Sequence, residues 1–156
     1  MSGEVRVSRV FRAPRELVFR AFTDPDQIAV WWAPEGCEVP RESVDIVPSV
    51  GGRIHFSIVD STSGEAVPVR FDIEEFSEPE LLVFSSEPQP EFELPNRMIT
   101  RVELDVHDDG TRVTVVQGPH TDEMRDRADA GWSGALHKLE RLLESGEGGI
   151  RTRDGA

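Results

Sequence analysis

The segment from Thr121 to Glu144 carries the clearest hydrophobic periodicity in the chain. Its apolar residues recur at steps of three and four: Met124, Ala128, Trp132, Ala135, Leu136, Leu139, Leu142 and Leu143. This spacing places them on one stripe and predicts an amphipathic helix of about six turns, with Thr121 as its N-cap. The stripe belongs to an ordinary core or forms one wall of a ligand cavity, and the pattern leaves both interpretations open.

Glycines flank Trp132 inside this predicted helix. Gly131 and Gly134 each cost about 1 kcal/mol relative to alanine in a helix interior. Their presence suggests that the helix backbone passes close to another segment, or that space is left beside the indole.

The first third of the chain predicts one strand and two short helices. Alternation from Val5 to Phe11 is typical of a strand. Pro14 is suited to the first helical position of the next element, and Asp24 is suited to cap a second helix. That second helix carries Trp31 and Trp32, which cannot both face the core on one helix. We therefore expect one of them at a cavity mouth.

Runs with a two-residue period dominate the middle of the chain. They are typical of strands and cover residues 44–47, 54–59, 67–73, 81–86, 98–106 and 113–117. The order of strand, two helices, about six strands and a long helix predicts an α+β fold with an antiparallel sheet covered by that helix. A curved sheet of about seven strands wrapped around the helix would enclose a cavity between them.

The chain length favours one domain, which we place at residues 1–144. Residues 145–156 have little apolar content to bury and predict a disordered tail. The segment 87–96 contains three prolines and predicts a loop, either a plain connection or a lid over a cavity.

Composition narrows the classes of partner. The net charge is −13, which disfavours nucleic acid and anionic membrane surfaces. No apolar run approaches the 18 residues that a spanning helix needs, so we expect no membrane insertion. The single cysteine, Cys37, is compatible with a reducing cytoplasm, where we expect the protein as a monomer or weak homodimer.

Candidate catalytic and metal-ligating groups are scattered along the chain. The four histidines, His55, His107, His120 and His137, show no metal-ligand spacing, and no nucleophile elbow or phosphate loop is present. We predict no metal site and no cofactor, we assign no catalytic residue, and we favour a binding protein over an enzyme.

A few polar residues share the inward phase of the predicted strands. Gln117 follows the phase of Val113 and Val115, so its amide should point inward, toward a neighbouring loop or toward a ligand. Thr100 is inward by the same argument. Arg9 has the inward phase of the first strand, and we expect it to form a structural salt bridge.

Cavities that bind small molecules are lined mainly by aromatic and aliphatic side chains with a few polar groups. We therefore predict the following ligand-binding residues: Trp32, Phe56, Phe71, Val102, Gln117, Trp132 and Leu136.

Four segments carry a resemblance to a known family. They read R-V-F-R-A-P-R-E-L-V-F-R-A-F-T-D-P-D-Q-I-A-V-W-W-A-P, P-S-V-G-G-R-I-H-F, L-L-V-F and G-W-S-G-A-L-H-K-L. Together they resemble the Hsp90-ATPase-activator-homologue branch of the START/Bet v 1-like (SRPBCC) superfamily. The resemblance implies a helix-grip fold: a seven-stranded antiparallel sheet around a C-terminal helix, two small helices at one end and a hydrophobic cavity between them.

The resemblance is compatible with several functions, because proteins that share this fold differ in what they do. Our first hypothesis is binding of a small hydrophobic or aromatic molecule in the internal cavity. The alternatives are a polyketide cyclase or hydrolase-like enzyme and an Hsp90-type chaperone interaction module. Acid–base pairs with perturbed pKa values in the cavity would favour catalysis. A filled core with an apolar outer patch would favour a protein partner.

Overall fold

The computed structural model describes residues 2–33, 36–90 and 97–145. Its strands are β1 (Ser2–Phe11), β2 (Cys37–Glu38), β3 (Asp45–Val47), β4 (Arg53–Asp60), β5 (Ala66–Ser77), β6 (Leu81–Ser86), β7 (Met98–His107) and β8 (Gly110–Thr121). Its helices are α1 (Arg15–Ala21), α2 (Pro25–Trp31), a 3-10 turn (Arg41–Ser43) and α3 (Asp122–Ser145).

The strands form one curved antiparallel sheet in the order β1-β8-β7-β6-β5-β4-β2. Strand β3 also pairs with β4, beside the start of β4, whereas β2 pairs with its end. Strands β2 and β3 thus share one edge, and the described strands occupy seven positions in the sheet. The predicted α+β fold, with about seven strands and two short helices after the first, is confirmed.

Helix α3 lies across the concave face of the sheet and packs along β1 and β8. Its stripe is buried as the periodicity predicts, and Leu136 and Leu139 have no exposed surface. The backbone N–H of Met124 donates to Thr121 Oγ1 at 3.2 Å, which confirms the predicted N-cap.

Two details of the short helices differ from the prediction. Pro14 is the N-cap of α1 and not its first helical residue, because its ψ of 156° is extended. Asp24 caps α2 as expected, accepting from the backbone N–H of Asp26 at 2.8 Å.

The first interpretation of the helix glycines, a close approach of the α3 backbone to another segment, is wrong. Gly131 and Gly134 lie on the exposed side of α3, and a Cβ added to either would meet nothing within 4 Å. No segment of the described chain passes close to them, because α3 turns them away from the sheet.

The predicted tail, residues 145–156, lies outside the described residues except for Ser145, which ends α3. Most of the predicted loop, residues 91–96, also lies outside them. Over the described ranges, no helix is long and apolar enough to cross a membrane.

Candidate functional site

An aromatic cluster lies beneath helix α2 and is centred on Trp32. Within the described residues, six rings have centroids between 4.8 and 6.1 Å from the Trp32 ring, those of Phe22, Trp31, Phe56, Phe71, Phe84 and Trp132. Edge and tilted contacts of this kind are favourable arrangements for aromatic pairs. The rings touch one another, so side chains fill this part of the interior.

Both adjacent tryptophans are buried, and the expectation of one at a cavity mouth is wrong. The last residue of helix α2 is Trp31, and Trp32 is its C-cap residue. The two rings stack with centroids 4.8 Å apart. Because Trp31 Nε1–H donates to the Ala21 carbonyl at 2.8 Å, its polar atom is satisfied without reaching solvent.

Next to the aromatic cluster on the concave face, the side chains of Thr100, Gln117 and His120 are linked by hydrogen bonds and form what we call the polar chain. Gln117 Nε2 donates to Thr100 Oγ1 at 2.8 Å, and Gln117 Oε1 lies 3.0 Å from His120 Nε2. Thr100 stands directly opposite Phe84 in the β6–β7 ladder, and Gln117 stands opposite Thr100 in the next. The inward orientation predicted for Gln117 and Thr100 is therefore observed.

His120 closes this chain and is 4% exposed. Its Nδ1 is buried and has no hydrogen-bond partner in the described part of the protein. Burial lowers the pKa of the imidazole below its usual value, because a charged ring would lose its hydration.

Sequence reasoning missed His120. Simple alternation from Gln117 puts His120 on the outer face of β8. The β1–β8 register shifts between Gly3 and Val5, opposite this part of β8, so alternation does not carry across it. The only sequence signal is Gly118-Pro119, which is rare within a regular strand.

The first half of α3 is less deeply buried than the second half. Met124 and Ala128 are half-buried, whereas Leu136 and Leu139 are fully buried. Trp132 stands between the two halves and contacts Trp32, with ring centroids 5.7 Å apart.

The structure places the seven predicted ligand-binding residues in three settings. Four join the aromatic cluster: Trp32, Phe56, Phe71 and Trp132. Val102 and Leu136 are fully buried in the hydrophobic core, and Gln117 is the middle of the polar chain. Their role in binding stays a prediction.

Polar contacts fix α3 against the rest of the fold. Arg9 forms the expected salt bridge with Glu140, with Arg9 Nε donating to Oε1 at 3.1 Å. His137 Nδ1 lies 3.3 Å from the same guanidinium. Lys138 Nζ donates to the Ala33 carbonyl at 2.7 Å, which ties α3 to the end of α2.

The convex face of the sheet carries a cleft of about 540 Å³ that includes Val83, Ile99 and Val116. A cleft of about 340 Å³ on the same face includes His55 and Arg70. Both are separated by the sheet from the aromatic cluster and the polar chain. Among the described residues, no group of three or more potential metal ligands comes together.

Comparison with known families shows which protein family the chain belongs to. The sequence profile described as activator of Hsp90 ATPase homolog 1-like protein matches residues 12–144. The chain belongs to this family. The resemblance stated from the sequence is therefore confirmed, and the helix-grip architecture is that of the family.

Solved structures share the fold over nearly the whole chain. Protein CV1439 from Chromobacterium violaceum is 28% identical with a TM-score of 0.79, covering 90% of this chain and 96% of its own. Protein NE0264 from Nitrosomonas europaea is 21% identical (TM-score 0.77, coverage 92% and 96%). The AHSA1 (SPO3351) protein from Silicibacter pomeroyi is 24% identical (TM-score 0.74, coverage 91% and 98%). Comparison with curated proteins gave no match.

Proposed function

We propose that this family member binds a small, largely apolar or aromatic molecule between the concave face of the sheet and the first half of α3. The observation that carries the proposal is the polar chain of Thr100, Gln117 and His120, which lies on the concave face and borders the aromatic cluster where Thr100 stands opposite Phe84.

The physical argument concerns the free energy of burying polar groups. A buried donor or acceptor without a partner costs about 1–3 kcal/mol, whereas apolar residues of the same shape are neutral or stabilising. His120 Nδ1 is such an acceptor. A core selected only for stability gains nothing from it, but a binding site needs a few polar groups to orient its ligand.

The neighbouring residues supply the apolar part of such a site. Phe84, a member of the aromatic cluster, stands opposite Thr100, and Trp132 is the member of the cluster that belongs to α3. Met124 and Ala128, which precede Trp132 on the same stripe of α3, are half-buried. A flat aromatic ligand here would contact rings on one side and the polar chain on the other.

Binding is favoured over catalysis by the surroundings of His120. Its hydrogen-bond partner is the amide of Gln117, not a carboxylate. General acid–base sites usually orient and charge-stabilise a histidine with a carboxylate. We also propose a cytoplasmic location, supported by the single free thiol of Cys37, and a single domain over residues 1–144.

The proposal is tested by enlarging a side chain on the inner side of the first half of α3. Ala128 packs against the core, whereas Ala130, on the same helix, is exposed. We expect Ala128→Leu to weaken the binding of 4-ethylphenol at least tenfold, because the added side chain occupies the ligand's volume. Ala130→Leu is the matched control and should bind as the wild type does.

The titration can be followed by the fluorescence of Trp132 and Trp32, with thermal melts to verify that both variants fold. Loss of affinity in Ala128→Leu alone supports the site. Equal affinity in all three proteins, or no saturable response to a panel of apolar probes in the wild type, would refute the proposed function.

A further inference from the structure

We infer that the ligand carries a neutral hydrogen-bond donor, such as a phenol or alcohol hydroxyl, and that this hydroxyl donates to Nδ1 of His120. The inference rests on the proposed function and adds the chemical class of the ligand. It starts from the unpartnered Nδ1 of a side chain that is 4% exposed.

The orientation of the Gln117 side-chain amide determines the tautomer of His120 in this structure. The amide Nε2 of Gln117 donates to Thr100 Oγ1, so the oxygen Oε1 faces His120. An amide oxygen only accepts, so the proton of the imidazole must be on Nε2. In the neutral ring Nδ1 then carries a lone pair and no proton.

The ring stays neutral because burial lowers the pKa of His120. A neutral ring with its proton on Nε2 presents an acceptor at Nδ1. A ligand that offers only lone pairs, such as an ether or a ketone, would leave this acceptor unpaired. A ligand hydroxyl would satisfy it, so a ligand with a hydroxyl should bind more tightly than an analogue that lacks it.

His120 also lies on the side of the sheet that the ligand would contact. It bonds to Gln117, which is in the inward ladder with Thr100 and Phe84. The convex cleft includes its neighbours Gly118 and Pro119 but does not include His120. The acceptor therefore belongs to the concave face, at the end of the polar chain.

The test compares two probes of equal size. 4-Ethylphenol carries a hydroxyl where 4-ethyltoluene carries a methyl group. By calorimetry we expect the wild type to bind the phenol about tenfold more tightly than the toluene, the ratio typical of one hydrogen bond. In His120→Phe the ratio should fall to about one, while His120→Asn, whose side-chain oxygen replaces Nδ1, should keep the preference.

His107→Phe is the control, because His107 lies beside the β7–β8 turn and its side chain is 37% exposed. The ratio of the affinities for 4-ethylphenol and 4-ethyltoluene should be the same in His107→Phe as in the wild type. If the wild type binds both probes equally, or the ratio survives in His120→Phe, the inference is wrong and the proposed function stands. If neither probe binds the wild type, the proposed function itself fails for this ligand class.

A second measurement does not depend on a folded variant. The ¹⁵N chemical shifts of the His120 ring report which nitrogen carries the proton. We expect Nδ1 to be unprotonated in the free protein and to shift on addition of 4-ethylphenol. A proton on Nδ1, or an Nδ1 shift unchanged at saturation because a buried water already occupies it, would overturn the inference.

Discussion

His120 and Trp31 show two outcomes for a polar ring atom inside this protein. The indole N–H of Trp31 donates to a carbonyl 2.8 Å away and is fully satisfied. The imidazole of His120 is satisfied at Nε2 but not at Nδ1. Satisfied buried groups specify packing, whereas an unsatisfied one marks a place where a partner is missing. This difference is why we propose His120, and not the more conspicuous tryptophans, as the residue that selects the ligand.

The lowered pKa of His120 predicts how stability depends on pH. The unfolded chain, with its ordinary histidine pKa of 6.5, takes up the proton first as the pH falls. Protonation of His120 therefore does not lower the free energy of unfolding above about pH 6.5. Below that pH the free energy of unfolding decreases, until the pH reaches the lowered pKa of His120 in the folded protein.

Urea unfolding of the wild type and His120→Asn between pH 8 and pH 5 measures this effect. We expect the free-energy difference between the two proteins to change below pH 6.5, with the wild type losing more. His55 also has a lowered pKa, caused by burial and then by the charge of Arg53, so His55→Asn is a necessary control. A difference between wild type and His120→Asn that is constant with pH would contradict the buried neutral ring.

The elements themselves follow from local patterns in the sequence. The two-residue period of β4, β5, β7 and β8 and the helical stripe of α3 depend on neighbouring residues only, so they could be predicted. The orientation of Trp32 could not, because it depends on where α2 ends. The inward turn of His120 could not either, because it depends on a register shift between β1 and β8. Hence four rings of the aromatic cluster and two of the three side chains of the polar chain were predictable, whereas the burial of both tryptophans and the inward turn of His120 were not.

Alanine substitutions at two glycines should change the stability of the protein in opposite directions. Gly131 in α3 has open space around it, so Gly131→Ala should stabilise the protein by about 1 kcal/mol through helix propensity. Gly110 begins β8, and a Cβ there would lie 2.0 Å from the Phe11 carbonyl oxygen. Gly110→Ala should therefore destabilise the protein.

Chemical denaturation of the two variants checks both signs. Destabilisation by Gly131→Ala would restore the interpretation that the α3 backbone approaches another segment at this point. An unchanged stability in Gly110→Ala would contradict the close contact between β8 and β1.

At the scale of the whole molecule, the sheet separates two surfaces with different chemistry. The concave face holds the aromatic cluster, the polar chain and the stripe of α3. The convex face holds the clefts near Ile99 and His55, among charged side chains. Our proposal places the ligand on the concave face, whereas the alternative hypothesis of a protein partner would require docking on the convex face.

The most direct test locates a ligand on one of these faces. In ¹H–¹⁵N NMR spectra recorded during a titration with 4-ethylphenol, we predict saturable shifts of the Trp132 indole N–H and the Gln117 side-chain amide. The backbone signals of Ile99 and Val116, on the convex face, should not move. Shifts confined to Ile99 and Val116, or no saturable shift at any site, would contradict binding between the sheet and α3.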